Sequence, residues 1–185
     1  RSNFISTYFE FEFRKFFSLY DLRVCLGVPW VRVLEDFTGS KWEVLHNPMS
    51  PAKPCQRRSV DAECQFVFLG ELSARKGIED LLHAFSLGRR AGLKAFLKIA
   101  GNGDIDRLSQ LCLELEIADS VEFLGWIGPD EKHELLCRSD VIVLPSYAEG
   151  LPMSVLEAMS YGRLVIATPV GATEDAINDG INGIL

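Results

Sequence analysis

The sequence predicts a doubly wound α/β domain built on a parallel sheet and preceded by a short amino-terminal appendage. From residue 65 onward, segments of helical period alternate with five short, continuously apolar runs, QFVFLG, AFLKIA, SVEFLG, DVIVLP and RLVIAT. Such runs are typical of strands buried on both faces, and a βαβα order gives parallel strands with right-handed crossovers. Because ligands bind at the carboxyl ends of these strands, we expect the loops after the runs to form the site.

The composition argues against several classes of function. The chain has 185 residues and a net charge of −7, which disfavours nucleic-acid binding because that surface needs clustered Lys and Arg. Its five cysteines form no CxxC pair and no His lies at metal-ligand spacing, so we expect reduced thiols and no metal site. No run approaches the roughly 18 apolar residues of a membrane span. A cytoplasmic protein without a transmembrane segment is expected.

Residues 1 to 64 lack the regular pattern. FEFEFRKFFSLY alternates like a strand, but its aromatic residues also recur at helical spacing, and the helix is the favoured interpretation. HNPMSPAKP is rich in proline and aperiodic, which is typical of a linker. Because the chain begins without Met and stops in an apolar run, we expect a fragment of a longer protein. Its predicted parts are the tail of an amino-terminal domain (1–46), a hinge (47–64) and the α/β domain (65–185, truncated at its end).

Two glutamates flank a predicted helix start in EGLPMSVLEAMSYG. Pro152 suits the first helical position and Gly162 the position after the last turn, which places Glu149 before the helix and Glu157 within it. Unpaired amides at a helix start attract phosphate, whereas carboxylates accept hydrogen bonds from hydroxyls. The pattern fits a ligand with a sugar, a phosphate and a second sugar in a row. The helix face expected on the sheet is the series Met153, Leu156 and Met159.

These motifs closely resemble the carboxy-terminal half of GT-B glycosyltransferases of family 4. The resemblance is carried by VLPSYAEGLPMSVLEAMSYGRLVIATPVGATEDAINDGINGIL, FLGELSARKGIEDLLHAF and LKIAGNGD, while VLHNPM is similar to the family's hinge. It covers about residues 65 to 185. It implies a Rossmann-like domain that binds a nucleotide-diphosphate sugar, and transfer of a hexose with retention to a hydroxyl acceptor. No metal ion or other cofactor is implied.

The resemblance also implies roles for individual residues. Glu149 is expected to contact the hydroxyls of the donor sugar, and Glu157 those of the ribose. Lys76 faces the diphosphate, whereas Glu71 occupies the position of a usual arginine, so Arg75 is expected to supply the second positive charge. Lys76 and Glu149 form the expected catalytic pair. The donor-binding set is Arg75, Gly150, Leu151, Glu157, Glu71, Gly101, Ile127 and Ser154.

Several alternatives stay open. Glu71 also fits a non-catalytic protein that only holds a nucleotide sugar, and a sugar-nucleotide epimerase shares the same two-domain plan. Trp126 either packs near the nucleobase or covers the edge of the sheet. The donor is expected to belong to the UDP- or GDP-hexose class, and the acceptor to be a carbohydrate or lipid-linked glycan. The parent enzyme would be a hexosyltransferase of glycan, polysaccharide or glycolipid synthesis. The missing amino-terminal domain would supply the acceptor site and any membrane contact, which leaves the fragment alone inactive.

Overall fold

The computed structural model describes residues 11–55 and 63–185. The chain separates into two compact units, Arg1–Pro48 and Met49–Leu185. The change of unit falls within the proline-rich stretch that the sequence analysis assigned to a linker. The functional assignment of the tail, hinge and binding domain stays a prediction.

Within its described residues, 11–48, the first unit contains two helices and a small parallel sheet. Residues 11–18 are helical (α1), which confirms the favoured interpretation for the described part of the phenylalanine-rich segment, whose beginning lies outside the described residues. Aromatic rings pack beside this helix: the Phe13 and Phe37 centroids are 5.3 Å apart, and those of Phe17 and Trp42 are 5.0 Å apart. The remaining elements are β1 (Val24–Cys25), α2 (Val28–Thr38) and β2 (Glu43–Val44), with β1 parallel to β2.

The second unit is the predicted α/β domain. Its five strands are all parallel and lie in the order β5-β4-β3-β6-β7. This confirms the predicted fold class. The elements are β3 (Cys64–Leu69), a 3₁₀ turn (Ala74–Lys76), α3 (Ile78–Arg90), β4 (Ala95–Ala100), α4 (Ile105–Glu114), β5 (Val121–Gly125), α5 (Pro129–Arg138), β6 (Val141–Leu144), α6 (Met153–Ser160), β7 (Leu164–Ala167) and α7 (Thr173–Ala176).

The core lies in the middle of this sheet. Val67 and Phe68 are adjacent on β3 and both fully buried, although neighbouring residues of a strand point to opposite faces. Both faces of the sheet are therefore covered, as the continuously apolar runs predict. Burying a side chain of this size stabilises the fold by about 1.5–3 kcal/mol, so the central strands form a rigid base for the loops above them.

The strand order positions a crevice. The chain runs from β3 outward through β4 to β5, then returns to the other side of β3 with β6 and β7. The loops after β3 and β6 therefore leave neighbouring strands at the same edge and continue in opposite directions. In doubly wound sheets this switch point is where ligands bind.

Helix α6 differs in detail from its prediction. Pro152 has extended backbone and precedes the helix as its N-cap, so the first helical residue is Met153 and the expected position of Pro152 was wrong by one. Gly162 lies just past the last turn with φ of +64°, as predicted. The buried face is Val155 and Ala158, whereas Met153 is exposed. The expected stripe was right for Met159, which packs against the core, and wrong for Met153, because Val155 and Ala158 form the fully buried face of α6.

Candidate functional site

A cavity of about 730 Å³ lies at the carboxyl edge of the sheet, among the loops that follow β3, β4, β5 and β6. Of the expected site residues, Arg75 and Gly150 do not line it. The structure brings the other eight together along its walls: Glu71, Lys76, Gly101, Ile127, Glu149, Leu151, Ser154 and Glu157. The clustering follows from the topology, because each of these residues lies in or just after a loop at one edge of the sheet.

Lys76 and Glu149 form an ion pair inside the cavity. Lys76 Nζ lies 2.5 Å from Glu149 Oε1, and the side chains are only 15% and 7% exposed. Lys76 ends the 3₁₀ turn after β3, and Glu149 belongs to the loop after β6, so 73 positions of sequence separate them. An ammonium has three donors and a carboxylate about four acceptor sites, so the pair retains hydrogen-bonding capacity for a ligand.

The two loops that carry this pair are held together by backbone contacts. Gly77 has φ of +67°, and a Cβ at this position would lie 2.0 Å from the carbonyl oxygen of Pro145. The amide of Tyr147 donates to the carbonyl of Arg75 at 2.8 Å. Glycine is therefore required at position 77, because both its backbone conformation and the approach of the neighbouring loop exclude a side chain.

The side chain of Arg75 does not line the cavity. Its guanidinium donates to the carbonyl of Ala148 at 3.0 Å and lies 3.7 Å from Glu71 Oε2. Successive side chains of a 3₁₀ turn point about 120° apart, so Arg75 and Lys76 cannot both face the same cavity. The structure places Arg75 as a brace between loops, and the expectation that it supplies the second positive charge is not supported by this geometry.

The second cation of the cavity is Lys132, which the sequence analysis missed. Lys132 lies in the first turn of α5, and its Nζ contacts Glu157 Oε1. The two side chains are 37% and 20% exposed. In the sequence Lys132 sits among charged residues in PDEKHELL and looks like a solvated helix residue. The only feature of the sequence that could have indicated a role in the site is the position of Lys132, one helical turn after a loop at the carboxyl edge of the sheet.

The start of α6 lies between the two carboxylates. Met153 and Ser154, the first helical residues, line the cavity, and among the described residues no side chain caps this helix start. Below the loop, Gly171 has φ of +61°, and a Cβ there would lie 2.0 Å from the carbonyl oxygen of Glu149. The close approach of the Gly171 backbone thus fixes the position of Glu149.

Glycine and aromatic residues form the opposite wall. Gly101 has φ of +153°, and a Cβ there would lie 1.7 Å from the carbonyl oxygen of Gly70. Trp126 is exposed and lines the cavity beside Ile127. A tight glycine turn therefore shapes this wall, and Trp126 presents an exposed aromatic surface to the cavity.

A family profile described as Glycosyl transferases group 1 matches residues 52–185, the part of the chain that holds the whole cavity. The chain belongs to the glycosyl transferases group 1 family. An uncharacterised glycosyltransferase of Methanocaldococcus jannaschii is 37% identical over 148 residues, which are 77% of this chain and 37% of that relative.

Solved glycosyltransferases share the fold. The lipopolysaccharide outer core galactosyltransferase WaaB has a TM-score of 0.78 at 24% identity, covering 91% of this chain and 49% of its own. HepE from Anabaena, solved in complex with UDP-glucose, has a TM-score of 0.72 at 18% identity, covering 89% of this chain and 49% of its own. The group 1 chain thus spans half or less of these relatives.

Neither a metal-binding cluster nor a membrane-spanning helix occurs among the residues of this group 1 chain that the structure describes. In residues 11–55 and 63–185, no three His, Cys, Asp or Glu side chains form a group that could hold a metal ion. In the same ranges, no helix is long and apolar enough to cross a bilayer.

Proposed function

We propose that this group 1 glycosyltransferase domain binds a nucleotide-diphosphate hexose in the cavity and is the donor half of a retaining hexosyltransferase. The observation that carries the proposal is the arrangement of Lys76, Glu149 and the start of α6 in one cavity. A cation and helix amides suit a diphosphate, while the carboxylates on either side suit sugar hydroxyls. The UDP-glucose complex of HepE supports a donor of this class.

The protein's contribution to transfer is electrostatic in this proposal. As the bond from the hexose to the diphosphate lengthens, negative charge grows on the leaving phosphate. Lys76 and the amides at the start of α6 stabilise that negative charge. This stabilisation is stronger in the transition state than in the bound donor. Glu149 orients the hexose through its hydroxyls and Glu157 holds the ribose, which leaves the face of the sugar beside the leaving group open for a front-face displacement.

The acceptor, a carbohydrate or lipid-linked hydroxyl compound, binds outside this chain in the proposal. These relatives are about twice as long as this chain, which supports an amino-terminal GT-B domain facing the cavity. Residues 1–185 then bind the donor without transferring it, because half of the water-excluding cleft is absent. A cytoplasmic location, free or at the membrane surface through that domain, belongs to the same proposal and is supported by five free thiols.

Calorimetry on the 185-residue chain tests the donor site. Titrations with UDP, GDP and their bare nucleosides should show one diphosphate bound more tightly than its nucleoside, with no change after EDTA treatment because the proposed charge comes from side chains. Absence of diphosphate binding would refute the proposal. For the full-length protein, NMR of the product should show the anomeric configuration of the donor retained.

Glu71 is the observation behind a non-catalytic alternative. Its carboxylate lines the cavity where family members usually carry a cation. A protein that only holds the nucleotide sugar would bind the donor and give no product with any acceptor. A sugar-nucleotide epimerase would convert the donor with no acceptor present. Analysis of donor consumption by the full-length protein, with and without a glycan acceptor, separates the three cases.

A further inference from the structure

The Lys132–Glu157 pair joins two elements that meet only in the fold. Lys132 comes from the first turn of α5, and Glu157 lies on α6, 25 positions later. The start of α5 is itself fixed, because the side chain of Glu131 accepts a hydrogen bond from the amide of Gly128 at 2.8 Å. Lys132 therefore projects from a capped turn toward Glu157 and is pre-organised for that contact.

The pair lies at one end of the cavity and the Lys76–Glu149 pair at the other. Glu149 precedes α6, whereas Glu157 is four residues past its first residue, about 6 Å along the helix axis. Each carboxylate proposed to bind hydroxyls thus has its own lysine. In the described part of the chain, the ion pair recorded for Glu157 is with Lys132. The ammonium of Lys132 therefore lies at the end of the cavity opposite Lys76.

We propose that Lys132 is a positioning residue that orients Glu157 for the ribose hydroxyls of the nucleotide. The inference rests on the proposed function. By contacting Oε1, Lys132 fixes the rotation of the carboxylate, so that Oε2 and the remaining lone pair of Oε1 face two neighbouring hydroxyls. A carboxylate held in this way discriminates ribose from 2′-deoxyribose more sharply than one that rotates freely. Lys132 acts through Glu157 and does not meet the diphosphate.

The test compares four ligands on the 185-residue chain: UDP, 2′-deoxy-UDP, uridine and 2′-deoxyuridine, or the guanine set if GDP binds more tightly. Wild type should prefer each ribo form. Lys132→Met should weaken UDP and uridine alike, by about tenfold, and bring the ribo-to-deoxy ratio close to one. Lys132→Arg should keep most of the ratio, because its guanidinium also reaches a carboxylate.

Lys98→Met is the matched control. Lys98 is 32% exposed and lies 2.9 Å from Glu122, so it resembles Lys132 in exposure and pairing but does not line the cavity. It should leave the ribo-to-deoxy ratio unchanged. Thermal melts show whether each variant is folded; if Lys132→Met is not, the comparison of Lys132→Gln and Lys132→Arg takes its place.

The outcomes separate the two proposals. Wild type that binds no diphosphate refutes the proposed function, and the inference with it. If wild type prefers ribose and Lys132→Met has the same ribo-to-deoxy ratio, the inference is overturned while the proposed function stands. Loss of UDP affinity with full retention of uridine affinity also overturns it, because Lys132 would then meet the phosphates.

Discussion

The ammonium of Lys76 lies 2.5 Å from Glu149 Oε1, with both side chains largely withdrawn from water. Neither charge can be removed alone without leaving its partner buried and unpaired, which is the costly case for a buried ion pair. The pair is therefore a structural contact between two loops as well as a proposed binding group.

Lys76→Met should weaken UDP binding by about 1.5–3 kcal/mol more than it weakens uridine binding, because a hydrogen bond to a charged group is worth about that much. The same substitution leaves Glu149 buried without its cation and should lower the melting temperature. Lys76→Met combined with Glu149→Gln removes both charges and should recover part of that stability but none of the UDP affinity. Equal losses for UDP and uridine would show that Lys76 does not meet the phosphates.

Glu71→Gln should strengthen UDP binding by about two- to fivefold and leave uridine binding unchanged. Glu71 lines the cavity as a carboxylate, so its removal eliminates repulsion of an anionic ligand. Its side chain is mostly exposed, which keeps the gain small and makes it shrink in 0.5 M salt. Arg75→Gln is the companion variant: it removes the brace to Ala148 and should lower stability without changing the UDP-to-uridine ratio. A gain at position 71 that persists in high salt would contradict the electrostatic explanation.

Gly171→Ala and Gly162→Ala form a matched pair. Their φ values are +61° and +64°, so both substitutions carry the same backbone penalty of about 1 kcal/mol. At position 162 a Cβ meets nothing within 4 Å, whereas at position 171 it lies 2.0 Å from the carbonyl oxygen of Glu149. Urea unfolding should show a clearly larger loss for Gly171→Ala, and calorimetry should show weaker binding of the intact donor for that variant alone. Similar losses at both positions would mean that the loop adapts.

Burial raises the pKa of the Cys112 thiol to about 11. Above the ordinary thiol pKa, near 9, the unfolded chain ionises while the folded protein does not, so stability is full below pH 9 and falls as pH rises toward 11. From pH 8 to 10.5 this thiol should account for about 2 kcal/mol of lost stability. Urea unfolding should therefore show a smaller fall for Cys112→Ala than for wild type. An identical fall in both proteins would place the effect elsewhere.

The sheet and the gathering of the loops could be predicted because both follow from patterns local in sequence. Runs that are apolar at every position predict strands covered on both faces, and Val67 and Phe68 are buried accordingly. In a parallel sheet the loops that follow the strands then lie at one edge, independently of the side chains they carry. This logic brings together the loops that carry Lys76 and Glu149, whereas the choice of these two residues as a pair came from the family resemblance.

Side-chain partners could not be predicted in the same way. Arg75 and Lys76 are adjacent in sequence, and only the geometry of the 3₁₀ turn decides that Lys76 enters the cavity. Lys132 was missed because a lysine in a charged helix turn usually meets solvent, and its contact depends on how α5 packs beside α6. The buried face of α6 was misassigned in part for a related reason: over eight residues two overlapping stripes are nearly equivalent, and only packing in the fold selects Val155 and Ala158 as the fully buried residues.

The strand order has a consequence for how the protein folds. β3, β4 and β5 pair with their neighbours along the chain, but β6 must return to β3, and it brings Glu149 to Lys76 across 73 positions. The pairing of β6 with β3 closes the longest loop between paired strands of the sheet. Because closing a long loop costs the most entropy, we expect this pairing to form late in folding. The ligand cavity exists only after this step. A ligand that bridges the two loops thus stabilises the last contact to form, and it should slow unfolding while leaving the rate of folding almost unchanged.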